Sequence, residues 1–329
     1  LQTQIQEIRM SDAFVSGWSK PSTILFPAEL PADEKAFSFA LAQAAEFGAK
    51  LILFHSYEVL AVTEAEGSGT RFYDSAATAR LELEKLEPLA QRVREAGIEC
   101  ATVARLGSPA EQIIACLGER PEIDRVVMGT HAPGPIGKML VGSVAETVLR
   151  SAPVPVCIIG PATVSGRYRN YATRTILCGV SLHQSSSTVV QFAAELAAEQ
   201  GARLILQHVI RPQEQAQILG GRSVDRINGE LLDLVPAALQ GSVTVHAIVV
   251  PGDPTDELLY WASAEQTDLI VVGAQGASAF AAATCQGVVY KLLAHAQCPV
   301  MTLSPQVLDA SGKKTADTRQ GEVFLAGVF

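Results

Sequence analysis

Two glycine-rich stretches hold the residue types that bind phosphate. The first runs Gly129-Thr-His-Ala-Pro-Gly134-Pro-Ile-Gly137-Lys-Met-Leu-Val-Gly142-Ser143. It follows a short apolar run, Val126-Val-Met128, and leads into an amphipathic stretch that begins at Val144. A strand, a glycine-rich loop and a helix N-terminus converge backbone N–H groups on one spot, where the helix dipole favours an anion. Ser143 has a second role open to it. Ser143-Val-Ala-Glu146 has the form of a capping box, worth about 1 kcal/mol to a helix without any ligand. Lys138 reads either as a phosphate contact or as a solvated loop lysine. The Gly137-Lys138-Met139 sequence is not a Walker A motif, which needs Ser or Thr after the lysine. His131 has no nucleophile or acid paired with it and reads as a loop hydrogen-bonding residue. The second stretch runs from Gly273-Ala-Gln-Gly276 to Gln286-Gly287, and Ala277 to Cys285 carries no charge.

The elements that must position these loops alternate between strand and helix. Thr23-Ile-Leu-Phe26 and Leu51-Ile-Leu-Phe54 are short buried strands, and Ala36 to Phe47 is a helix ended by Gly48. A long helix over Ala76 to Ala96 stops at Gly97. Further strands cover Glu99 to Ala104, Arg125 to Met128 and Val154 to Ile159. Between the first two of these, Ser108, Pro109 and Glu111 open a helix. The order then recurs: Thr175-Ile-Leu-Cys178 repeats Thr23 to Phe26, Ala202-Arg-Leu-Ile-Leu206 repeats Ala49-Lys-Leu-Ile-Leu53, and Cys298-Pro-Val300 repeats Val154-Pro-Val156. The first half is longer between its second and third strands, near Ala61 to Asp74. Apolar strands alternating with helices imply α/β architecture: two tandem doubly wound domains, each on a mostly parallel five-stranded sheet. The expected divisions are an N-terminal extension (1–20), domain 1 (21–162), a linker (163–172), domain 2 with the altered motif (173–304) and a C-terminal tail (305–329).

The chain has 329 residues, 48% of them hydrophobic and 18% charged, which suits a soluble protein with a large core. A net charge of −9 argues against non-specific nucleic-acid binding. No apolar run approaches the roughly 20 residues of a membrane span, and Leu1 to Ile5 lacks the features of a signal peptide. The six cysteines form no C-x-x-C pair and read as buried free thiols in a reducing compartment, so a cytoplasmic location is expected. The six histidines show no metal-ligand spacing, so no metal site is expected.

Across residues 20–304 the chain resembles the universal stress proteins, with their adenine nucleotide alpha hydrolase-like fold. Their signature is Gly-x2-Gly-x9-Gly-[Ser/Thr], followed by a helix and a (Cys/Val)-Pro-Val strand. The first half matches at Gly129, Gly142 and Ser143. The second glycine falls on Ala132, with Gly134 and Gly137 nearby. The resemblance implies that this loop and helix start hold the phosphates of ATP, with Mg²⁺ accompanying them. Glu29 takes the place of the family's first-strand Asp near the nucleoside. Pro27, Ala28 and Phe54 to Ser56, including His55, take the pocket wall, and Met128 and Val144 flank the loop. In the second half Gly273 and Gly276 match, but the acid becomes Ser181 and the closing pair becomes Gln286-Gly287. The resemblance also implies that Pro155 to Ile159 and Pro299 to Leu303 pair within one chain as a pseudo-dimer, with homodimerisation open beyond that.

The leading expectation is a non-enzymatic stress-response protein that binds ATP or another adenine nucleotide in domain 1 only. A scaffold that binds an unknown protein partner and no nucleotide is the alternative. An ATP-using or flavin-linked enzyme on a similar layout is a third, and no acid, base or nucleophile set supports it.

Overall fold

The computed structural model describes residues 18–58, 75–130, 142–164, 173–182, 186–212, 223–274 and 279–308. The loop residues His131, Ala132, Gly134, Gly137 and Lys138 lie outside the described residues, as does the insertion expected near Ala61 to Asp74.

Domain 1 comprises β1 (Thr23–Pro27), α1 (Glu34–Phe47), β2 (Lys50–Tyr57), α2 (Ser75–Glu95), β3 (Cys100–Leu106), α3 (Pro109–Glu119), β4 (Arg125–Gly129), α4 (Ser143–Ser151) and β5 (Val156–Ile159). Domain 2 repeats the order as β6 (Thr175–Gly179), α5 (Ser186–Gln200), β7 (Arg203–Ile210), α6 (Val224–Asp233), β8 (Val245–Pro251), α7 (Pro254–Ala264), β9 (Leu269–Gly273), α8 (Ala279–His295) and β10 (Val300–Leu303). The central strands are apolar on both faces because helices cover both, and two buried clusters, one on each side of the sheet, draw residues from both halves. Gly48 ends α1 in the left-handed region (φ 63°), and its N–H reaches back to Ala44 O.

The ten strands among the described residues join one sheet in the order β3-β2-β1-β4-β5-β10-β9-β6-β7-β8. Within each half every pairing is parallel. Among the described residues the one antiparallel pairing is β5 with β10, in the register Val300–Ile158, Met301–Cys157 and Thr302–Val156. This is the intramolecular pairing that the resemblance implied. Side chains reinforce it: Thr302 Oγ1 donates to Val156 O (3.2 Å) and Ser304 Oγ to Ala152 O (2.5 Å). Gly160 lies so close to α8 that a Cβ there would stand 2.0 Å from Leu293 O. From α8, the Tyr290 hydroxyl faces the Glu146 carboxylate of α4, and burial with that carboxylate pushes the phenol up to about 12.

The packed body extends past the boundaries read from sequence. Trp18 and Ser19 are buried, and their carbonyls accept from Arg125 Nη2 at 2.9 and 3.3 Å. Arg125 is fully buried at the start of β4 and also donates to Gln43 Oε1 (2.6 Å). Burial lowers its pKa to about 10. Val307 and Leu308, expected in the tail, are buried in domain 2.

Candidate functional site

In domain 1, β1 has β2 on one side and β4 on the other. The chain leaves β1 and β4 toward opposite faces, which opens a crevice at their carboxyl ends, where ligands bind in open α/β sheets. A cavity of about 490 Å³ occupies this crevice, lined by Phe26, Pro27, Ala28, Glu29, Asp33, Phe54, His55, Ser56, Pro109, Ile113, Met128, Gly129, Gly142, Ser143, Val144 and Ala145. Every described candidate from the sequence meets here: Pro27, Ala28, Glu29, His55, Met128, Gly129, Gly142, Ser143 and Val144. Ala132 and Gly134 lie outside the described residues.

One wall is a helix start. Gly142 is the N-cap of α4, with φ −62° and ψ 150°, and makes no side-chain cap bond. Ser143 is therefore the first helical residue, and the expected Ser143–Glu146 capping box does not form. The helix begins one residue earlier than that box requires, because the extended Gly142 supplies the first acceptor: Glu146 N–H donates to Gly142 O at 2.9 Å. The amides of Ser143, Val144 and Ala145 precede this bond and have no acceptor within the helix.

The opposite wall is built by β1 and β2. Ala28 N–H donates to Phe54 O (2.7 Å), and the His55 Nδ1–H donates to Ala28 O (2.9 Å). His55 Nε2 lies 3.5 Å from Glu82 Oε2 on α2. The same tie recurs in domain 2, where His208 Nδ1 lies 2.8 Å from Val180 O. In both halves a histidine on the second strand thus ties that strand to the chain leaving the first.

Asp33 is the charged lining residue that the sequence reading missed; Phe26, Pro109, Ile113 and Ala145 also line the cavity without having been candidates. The Asp33 Oδ1 caps α1, accepting from Lys35 N (2.9 Å) and Ala36 N (3.3 Å). Its Oδ2 borders Gly129, where a Cβ would stand 2.6 Å away. The first signature glycine thus makes room for a carboxylate. Asp33 was legible as a cap, because Asp before Glu34-Lys35 and an Ala-rich run starts a helix. Its proximity to the distant Gly129 had no local signal.

Domain 2 lacks the helix start. Gln286 and Gly287 lie inside α8, which begins at Ala279. Four of the first five residues of α8 are Ala279, Ala281, Ala282 and Ala283, strong helix formers that start the helix several residues before Gln286-Gly287. Leu258 Cδ2 would lie 3.3 Å from a Cβ on Gly179, the counterpart of Pro27, so apolar side chains crowd that wall.

Comparisons with known proteins agree with this architecture. The model of the universal stress protein family matches twice, over residues 21–160 and 172–304. A universal stress protein of Thermus aquaticus is 33% identical over 128 residues, covering 38% of this chain and 88% of its own. One from Mycolicibacterium smegmatis is 26% identical over 194 residues, covering 55% of this chain and 62% of its own. The crystal structure of a universal stress protein from Archaeoglobus fulgidus superposes with a TM-score of 0.64 at 20% identity, covering 86% of this chain and 96% of that one. With two matched domains joined in one sheet, the chain belongs to the universal stress protein family.

Proposed function

We propose that the protein binds an adenine nucleotide in domain 1 only, and that it acts as a ligand-responsive stress protein rather than as a catalyst. The observation that carries this reading is the domain 1 cavity with the amides of Ser143 to Ala145 at one end. Its volume of about 490 Å³ suits a small-molecule ligand. Phe26, Phe54, Ile113 and Met128 give apolar walls for a base, and the helix start gives an anion seat. ATP and other adenine nucleotides share these two features. Domain 2 has neither a helix start at Gln286-Gly287 nor an acid at Ser181, which supports its role as a structural partner. Among the described residues no group of three or more His, Cys, Asp or Glu is placed to hold a metal, so Mg²⁺ would arrive with a nucleotide's phosphates. The buried free thiols Cys116, Cys157, Cys178 and Cys298 fit a reducing compartment such as the cytoplasm.

Titration calorimetry tests the reading. Adenine nucleotide should bind with one site per chain, and Gly142→Val should weaken binding at least about tenfold, or 1.4 kcal/mol. Gly142 has negative φ, so valine fits the backbone there, and the position lines the cavity. Absence of binding at millimolar nucleotide would favour the alternative, a nucleotide-free scaffold for a protein partner, which Ala132 at the second signature position supports.

A further inference from the structure

The helix that carries the anion seat is also a helix that meets domain 2. Ala145, Val148 and Leu149 of α4 share one buried cluster with Val289, Leu292 and Leu293 of α8. The strands that follow these helices, β5 and β10, pair directly. Glu146 and Tyr290 hold equivalent places in the repeat, each three residues past its own closing pair, Gly142-Ser143 or Gln286-Gly287. The two meet across the junction, where the Tyr290 hydroxyl donates to the Glu146 carboxylate. Arg150, one turn further along α4, brings its Nη1 to 3.6 Å from Glu146 Oε1. Glu146 stands in the first turn of α4, and its N–H donates to Gly142 O at 2.9 Å. A carboxylate in a first turn is drawn to the positive helix start, the same place that suits a ligand's anion. This carboxylate has its partners elsewhere, on domain 2 and toward the C-terminus of its own helix. Ser143, Val144 and Ala145 line the cavity, whereas Glu146 is not among its described lining residues.

We infer that Tyr290 of domain 2 is a positioning residue for the anion seat of domain 1: it holds the Glu146 carboxylate at the domain junction and so leaves the amides of Ser143, Val144 and Ala145 to a nucleotide's phosphate. The inference rests on the nucleotide reading above and gives domain 2 a part in that same site. Without the hydroxyl the carboxylate loses a partner and competes with the phosphate for the helix start, from which it is separated by a single turn.

The discriminating variants are Tyr290→Phe and Glu146→Gln. Phenylalanine keeps the ring and removes only the hydroxyl, and glutamine keeps a hydrogen-bonding group while removing the charge. Calorimetry on the full chain would compare wild type, both single variants and the double variant with adenosine, AMP and ATP. Tyr290→Phe should weaken whichever nucleotide the wild type binds by roughly two- to fivefold, the range for a charge near a helix start, and leave adenosine unchanged. Glu146→Gln should bind that nucleotide at least as tightly as the wild type does. Adding Tyr290→Phe to Glu146→Gln should then cost nothing, the mark of one residue acting through the other. An undiminished loss in the double variant, no loss in Tyr290→Phe, weaker nucleotide binding by Glu146→Gln, or an equal loss for adenosine would overturn the positioning role while leaving the nucleotide reading standing. Failure of the wild type to bind either nucleotide would overturn both.

Discussion

Phe54 and Gln207 occupy equivalent places, Phe54 opposite Pro27 in the β1–β2 register and Gln207 opposite Gly179 in the β6–β7 register. Phe54 lines the domain 1 cavity, whereas Gln207 is 1% exposed and neither of its amide atoms has a hydrogen-bond partner. A buried amide without partners costs roughly 1–3 kcal/mol. Gln207→Leu, close in volume and apolar, should therefore stabilise the protein by about 1–2 kcal/mol in urea denaturation. A loss of stability would show that the amide is satisfied in solution. The thiols give a second residue-scale prediction. Burial pushes both Cys157 and Cys178 up to about 12, so at pH 8 neither holds appreciable thiolate. Iodoacetamide should leave both unmodified in the native protein and alkylate both in denaturant, as read by peptide mass spectrometry. The cysteine reading was available from sequence because each sits within an apolar strand. Asp33 and Gln207 were not, because what decides their meaning is a neighbour far away in the chain.

At the level of elements, the strands and their order followed from short apolar runs and from the repeat. The ends of elements were harder. β2 runs on to Tyr57 because β3 gives it a partner through Leu106, beyond the apolar part of either strand. The start of α4 was misread by one residue because Ser143 and Glu146 satisfy a local motif that Gly142 pre-empts. The start of α8 at Ala279 was hidden in a stretch that aligned with a loop, although its alanines favoured helix. Gly160 illustrates a constraint between elements. It needs no positive φ, yet a Cβ there would meet the backbone carbonyl of Leu293, which cannot rotate aside. Gly160→Ala should destabilise the protein by about 1–3 kcal/mol, the usual range for overpacking. Equilibrium denaturation measures this, and an unchanged midpoint would mean that α8 shifts freely over β5.

For the molecule as a whole, the β5–β10 ladder makes two repeated domains into one sheet with clusters shared on both faces. The two tryptophans fall one in each half, Trp18 packed beside Arg125 and Trp261 on α7. Single-tryptophan variants, Trp18→Phe and Trp261→Phe, should report coincident urea midpoints, the mark of one cooperative transition. Separate midpoints would show that the halves melt independently. The central ladder also fixes a direction. Because β5 and β10 run oppositely, the carboxyl ends of the domain 1 strands lie at one rim of the sheet and those of domain 2 at the other. The cavity and its blunted twin consequently look out from opposite rims. Under the proposed single-site reading, the protein would be a signpost with one written side: a molecule at the domain 1 rim would meet the ligand, and one at the far rim would not.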